Sequence, residues 1–126
     1  MSLFDRLAGN AGKINNDAIL KDVGPFILDN ESVLHSFKLV RDLIIFTDKR
    51  LILIDVQGTT GRKRTYEIVP YDSISRFAIE TAGTFDTDSE LKIYISSATQ
   101  PTYSLELGRN ADHVYEIAKT LSSAIL

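Results

Sequence analysis

Four parts of the chain carry residue types from which sites are built. Gly58-Thr59-Thr60-Gly61-Arg62-Lys63 joins two glycines to two cations, as phosphate loops do. A Walker loop, however, needs four residues between its glycines, then Lys-Ser/Thr, and it opens into a helix whose first amides hold the phosphate. Here two residues separate the glycines and the next segment patterns as a strand, so the stretch reads as a hairpin turn. Arg62, Lys63 and Arg64, with Lys49 and Arg50 as candidate neighbours, are the densest positive charge. Such residues can touch anionic lipid headgroups, each adding about 1 kcal/mol near a charged leaflet, so this cluster alone supports only marginal binding. Asp86-Thr87-Asp88-Ser89-Glu90 alternates carboxylates but lacks the central glycine, the distal glutamate and the flanking helices of an EF-hand. It reads as a solvated loop between strands. His35 and His113 have no evident nucleophile or acid partner, which leaves them structural. No metal, cofactor or catalytic constellation emerges, and the expectation is a protein that is not an enzyme.

The composition narrows the class. With 126 residues there is room for one core. Hydrophobic residues at 44% and charged residues at 25% favour a globular fold over a disordered tail. A net charge of -3 argues against nucleic acid, whose binders neutralise phosphates with a basic surplus. The absence of cysteine removes disulfides, thiolate metal sites and a cysteine nucleophile. Met1-Ser2-Leu3-Phe4-Asp5-Arg6 lacks the basic start and apolar stretch of a secretory signal, and Ser2 replaces the glycine that myristoylation needs. No apolar run reaches the length of a membrane span. The expected location is the cytoplasm.

The elements that position these residues change period twice. Residues 1–30 read as an extension of short helices packed on the domain: Leu3, Phe4 and Leu7 make one apolar turn, and Asp17 is a candidate cap for Ile19, Leu20 and Val23. Gly24-Pro25 ends that second helix. Over 31–126 the period becomes two. Val33, His35, Phe37 and Leu39 alternate with their neighbours, and Leu43 to Phe46 and Leu51 to Ile54 flank the turn Thr47-Asp48-Lys49-Arg50. Further strands are expected over Arg64–Val69, Ile74–Thr81, Leu91–Ser96 and Tyr103–Leu107. A final amphipathic helix places Val114, Ile117, Ala118, Leu121 and Ile125 on one face, with Asn110 or Asp112 as its cap. The fold class is mainly β: about seven antiparallel strands in a bent barrel or sandwich, with one helix over an open end.

In this order and spacing, several segments resemble the bacterial pleckstrin-homology (PH-like) domain family. They are Arg41-Asp42, Phe46-Thr47-Asp48-Lys49-Arg50-Leu51, and Asp55 through Lys63. Pro70-Tyr71, Ile74-Ser75-Arg76-Phe77 and Glu80-Thr81-Ala82-Gly83-Thr84-Phe85-Asp86 continue the match. The resemblance implies a strongly bent seven-stranded barrel with a C-terminal capping helix, no catalytic residues, and members without an assigned function, several of which form homo-oligomeric rings. Eukaryotic relatives that bind phosphoinositides carry a longer basic loop between their first two strands, where this chain has only Val40-Arg41-Asp42.

One feature of the residues themselves bears on partners. Leu43, Ile44, Ile45 and Phe46, and then Leu51, Ile52, Leu53 and Ile54, are apolar at consecutive rather than alternating positions. Both faces of that hairpin must therefore be covered, by the N-terminal helices or by another subunit. The resemblance favours the subunit, which makes these eight residues the candidate interface of a homo-oligomer, a ring by expectation. The expected function is an interaction or scaffold domain that self-associates and presents loops to a protein partner. The alternative is a peripheral membrane module reading anionic lipid through Arg62, Lys63 and Arg64.

Overall fold

The computed structural model describes residues 12–57, 63–81, 89–108 and 111–126. Two antiparallel sheets form in chain order. The first is built from β1 (Gly12–Ile14), β2 (Val33–Lys38), β3 (Asp42–Thr47), β4 (Arg50–Gln57) and β5 (Lys63–Pro70), adjacent in that sequence. The second contains β6 (Ile74–Thr81), β7 (Ser89–Ile95) and β8 (Tyr103–Gly108). The sheets pack as a sandwich and do not close into a barrel. Two helices complete the chain, α1 (Asn16–Val23) and α2 (Ala111–Ile125).

The main core lies between the sheets. Phe37, Ile44, Phe46, Leu51 and Leu53 from the first meet Leu91, Ile93, Leu105 and Leu107 from the second, all buried. Val114, Ile117 and Leu121 of α2 enter the same cluster, so the helix seals the sandwich as its apolar stripe requires. The side chains Asn110 and Asp112, the expected caps of this helix, lie outside the described residues.

The N-terminal region differs from expectation in two ways. Gly12–Ile14 is a strand, paired antiparallel with Lys38–Ser36 of β2, within the stretch expected to hold only short helices. The cap of α1 is Asn15 rather than Asp17: its Oδ1 accepts from the amides of Asp17 at 2.8 Å and Ala18 at 3.3 Å. Asp17 instead sits in the first turn, where its charge suits the helix dipole. The expected turn over Leu3, Phe4 and Leu7 lies outside the described residues.

A buried polar knot joins this region to the first sheet. The Glu31 side chain is wholly buried and pairs with Arg50 at 2.8 Å. It also accepts from the Thr47 hydroxyl at 2.6 Å and the Leu28 amide at 3.0 Å. Burial alone would raise the Glu31 carboxyl, but the bonds from Arg50, Thr47 and Leu28 outweigh it and hold the group below its usual value. Thr47 Oγ1 in turn accepts from the amides of Lys49 at 3.1 Å and Arg50 at 3.0 Å, which shapes the β3–β4 turn. Arg50 Nη2 donates to the Phe26 carbonyl, and Tyr71 Oη donates to the Thr47 carbonyl at 2.7 Å. The Thr47-Asp48-Lys49-Arg50 and Pro70-Tyr71 segments that carry the family resemblance are therefore structural fasteners.

Candidate functional site

The hairpin expected to form an oligomer contact is occupied from within. Leu43, Ile44, Ile45, Phe46, Leu51, Ile52, Leu53 and Ile54 are all buried in the single chain. Ile44, Phe46, Leu51 and Leu53 face the sandwich core, while Leu43, Ile45, Ile52 and Ile54 join a second cluster with Ile14, Ile19 and Val23. Strand β1, helix α1 and the segment through Ile27 thus lie over the outward row. In the single chain this row is therefore packed against the chain's own N-terminal elements and is not left exposed.

What the cover leaves open is its margin. Phe26 is 44% exposed, Leu28 52% and Ile68 40%. The Phe26 ring stacks on Tyr66 with centroids 4.7 Å apart. Ile68 follows Tyr66 on the same face of β5, the terminal strand of its sheet. Apolar side chains thus gather beside a strand that has one unpaired edge among the described residues.

A groove runs along the flank of α2. A cavity of about 480 Å³ is lined by Leu34, His35, Phe46, Tyr71, Thr120 and Ser123 among others. A second, of about 400 Å³, shares Leu34 and His35 and continues to Lys13, Asn15 and Asn16. The Asn16 amide donates to the carbonyls of Val33 at 3.3 Å and Leu34 at 3.2 Å. Its Oδ1 and the His35 Nδ1 are buried without a hydrogen-bond partner among the described residues. Lys13 and Glu116 bridge strand β1 to α2 at 2.8 Å, and that bond holds the Glu116 carboxyl below its usual value. Burial pushes the Tyr71 phenol up, so it stays a neutral donor. The arrangement can receive an apolar group and offer it two polar contacts.

The charged segments are dispersed. Arg64 pairs with Asp22 of α1 at 3.3 Å and both side chains are largely buried, while Lys63 is exposed and Arg62 lies outside the described residues. Asp86 and Asp88 also lie outside them. Among the described residues no group of three metal-ligating side chains is placed to hold an ion. His35 stacks on Phe37 at 6.5 Å and His113 meets the same ring edge-on at 6.2 Å. Both histidines pack against the core, as the sequence suggested. The groove went unseen in the sequence because its walls are brought together by strand register and helix docking.

With fold and surface described, the chain can be placed among known proteins. It belongs to the bacterial PH domain family, whose pattern it matches over residues 2–125. Among individual proteins it is similar to the uncharacterized protein YjqA of Bacillus subtilis (strain 168), 48% identical over 126 residues and the full length of both chains. Two crystal structures share the fold. A pleckstrin homology domain from Shewanella amazonensis SB2B has 46% identity and a TM-score of 0.79, covering 97% of each chain. A DUF1696 family protein with a pleckstrin-homology domain from Shewanella loihica PV-4 has 45% identity and a TM-score of 0.76, covering 94% of this chain and all of that one. None of the described helices is long and apolar enough to cross a membrane.

Proposed function

We propose that the chain is a non-catalytic interaction domain that self-associates and offers its α2 groove to a protein partner. The observation that supports self-association is the exposed apolar pair Phe26, stacked on Tyr66, and Ile68, both beside the terminal strand β5. Fully burying one such side chain contributes roughly 1.5–3 kcal/mol, and an unpaired strand edge supplies backbone donors and acceptors to a neighbour. A head-to-tail contact through this margin closes into a ring when the rotation permits.

Light scattering on the intact chain tests the reading. A mass that is a multiple of 14.0 kDa is expected, with Ile68→Glu folded but at the single-chain mass. A wild-type monomer at micromolar concentration defeats self-association. The lipid reading has less support, because Arg64 is already paired with Asp22 and would have to leave it to meet a headgroup. Sedimentation with anionic liposomes is expected to leave the chain in the supernatant; binding that Lys63→Ala abolishes would reverse the order of the two readings.

A further inference from the structure

Residues 12–31 cross the outer face of the first sheet as a strap, and their attachment differs in kind from the packing between the sheets. Three apolar side chains of the strap are buried, Ile14, Ile19 and Val23, over the row Leu43, Ile45, Ile52 and Ile54. Strand β1 adds three residue pairs with β2, and α1 has eight residues. A helix that short does not hold its shape alone in water, so the strap is ordered by what fastens it.

Among the described residues three ion pairs join it to the body, each with one partner on either side. Lys13 meets Glu116 of α2 at 2.8 Å, Asp22 meets Arg64 of β5 at 3.3 Å, and Glu31 meets Arg50 of β4 at 2.8 Å. They fall at the start, the middle and the end of the strap. The last is the most enclosed: the Glu31 side chain has no exposure and that of Arg50 only 19%. Arg50 also donates to the Phe26 carbonyl, so one guanidinium grips the strap at two points. The core between the sheets is built from apolar side chains instead. Removing one partner of an enclosed ion pair leaves the other charge unpaired, which costs far more than breaking an exposed pair. Neutralising the carboxylates therefore acts on the fastening of the strap and not on the sandwich core.

We propose that residues 12–31 form a releasable strap, which opens as a unit when its ion pairs are neutralised and bares the apolar row while the sandwich stays folded. Acid sets the direction. Burial works against the Glu31 carboxyl, but the bonds from Arg50, Thr47 and Leu28 hold it below its usual value; the bond from Lys13 does the same for Glu116. A carboxyl held low stabilises the closed strap above its unfolded value and loses that contribution as pH falls through its folded value. Tyr71 also faces Glu31, and Tyr66 faces Arg64 beside Asp22. His113 and His35 face Glu116, which a protonated imidazole would hold more firmly, so Glu31 and Asp22 decide the opening. Phe26 lies in the strap, and opening lifts its ring from Tyr66 and removes the apolar pair beside β5. That consequence rests on the proposed self-association; the opening itself does not.

Hydrogen exchange on the intact chain at pH 7, beside binding of a dye that fluoresces on apolar surface, tests it in the parent, Glu31→Gln and Asp22→Asn. In Glu31→Gln the amides of Ile19 to Val23 should exchange at least about tenfold faster, while those of Leu91, Ile93, Leu105 and Leu107 keep the protection of the parent. The dye should brighten with the same variant. Asp22→Asn, at a less enclosed pair, should give the same pattern with a smaller factor, and it decides alone if Glu31→Gln does not fold. Glu80→Gln, which breaks an ion pair in the second sheet, should leave the strap amides unchanged. The parent should pass to the open pattern as pH falls below about 4, before the amides of the second sheet lose protection. The proposal is overturned if strap and second-sheet amides lose protection together, which would make the strap part of one cooperative unit. It is also overturned if neither variant changes the strap amides, or if Glu80→Gln changes them as much.

Discussion

Among the described residues the first sheet is covered on both faces and the second on one, and their strands differ accordingly. In β3 and β4 every position from Leu43 to Phe46 and from Leu51 to Ile54 is buried, half of them facing the sandwich core and half facing β1 and α1. In β7 and β8 the inward Leu91, Ile93, Leu105 and Leu107 alternate with Glu90, Lys92, Ser104 and Glu106. A continuous apolar run therefore reports a second cover, and alternation reports a face left to solvent. The covered sheet carries stability.

The largest expected effect sets the two outer faces against each other. Ile52→Asp would put a carboxylate into the dry cluster under α1 and should cost more than about 4 kcal/mol, enough to threaten folding. Ser104→Asp on the outer face of β8 should change stability by less than about 1 kcal/mol. Denaturant unfolding of both variants checks the pair; similar costs would erase the distinction between the sheets.

The helix that seals the shared core comes next. Leu121→Ala should cost roughly 2–5 kcal/mol, as buried leucine truncations do. A loss below about 1 kcal/mol in the same assay would mean that α2 stands off the sandwich.

A smaller effect depends on pH. Burial, then the nearby Asp55, raises the Asp42 carboxyl from 3.8 to about 6, with Arg41 opposing and Glu106 adding to the shift. The folded state thus holds this proton more tightly than the unfolded chain does. Asp42 is neutral in both states below its unfolded value, and its contribution falls as pH rises toward 6. Asp42→Asn should accordingly melt higher than the parent at pH 7 and close to it at pH 4. Glu31 runs the opposite way: its lowered carboxyl stabilises the fold above the unfolded value and loses that contribution as pH falls. A parent whose melting temperature matches that of Asp42→Asn at both pH values would contradict the Asp42 assignment.

The fold was legible because it rests on local period and turn chemistry. The alternation of β2, the β3–β4 hairpin and the stripe of α2 are each visible in a few consecutive residues. The need for a second cover over Leu43–Phe46 was legible too, but its source was not. Gly12-Lys13-Ile14 is too short and mixed to announce a strand, and only docking shows that Ile14, Ile19 and Val23 meet one apolar row. That Glu80, Glu90 and Glu106 lie opposite one another across β6, β7 and β8 was hidden for a related reason. The three are far apart in the chain and become neighbours only through register, with an irregularity at Ser89/Glu90 that local pattern does not reveal. Arg62, Lys63 and Arg64 looked like one patch, whereas Arg64 turns to Asp22 and leaves Lys63 facing solvent.

The claim that the chain covers its own hairpin is tested most directly by hydrogen exchange at the amides of Leu43–Phe46 and Leu51–Ile54, followed while the protein is diluted. If β1 and α1 supply the cover, protection of these amides stays the same through any dissociation that light scattering detects. Protection that falls in step with dissociation would show that a neighbouring copy supplies it, and would contradict the account.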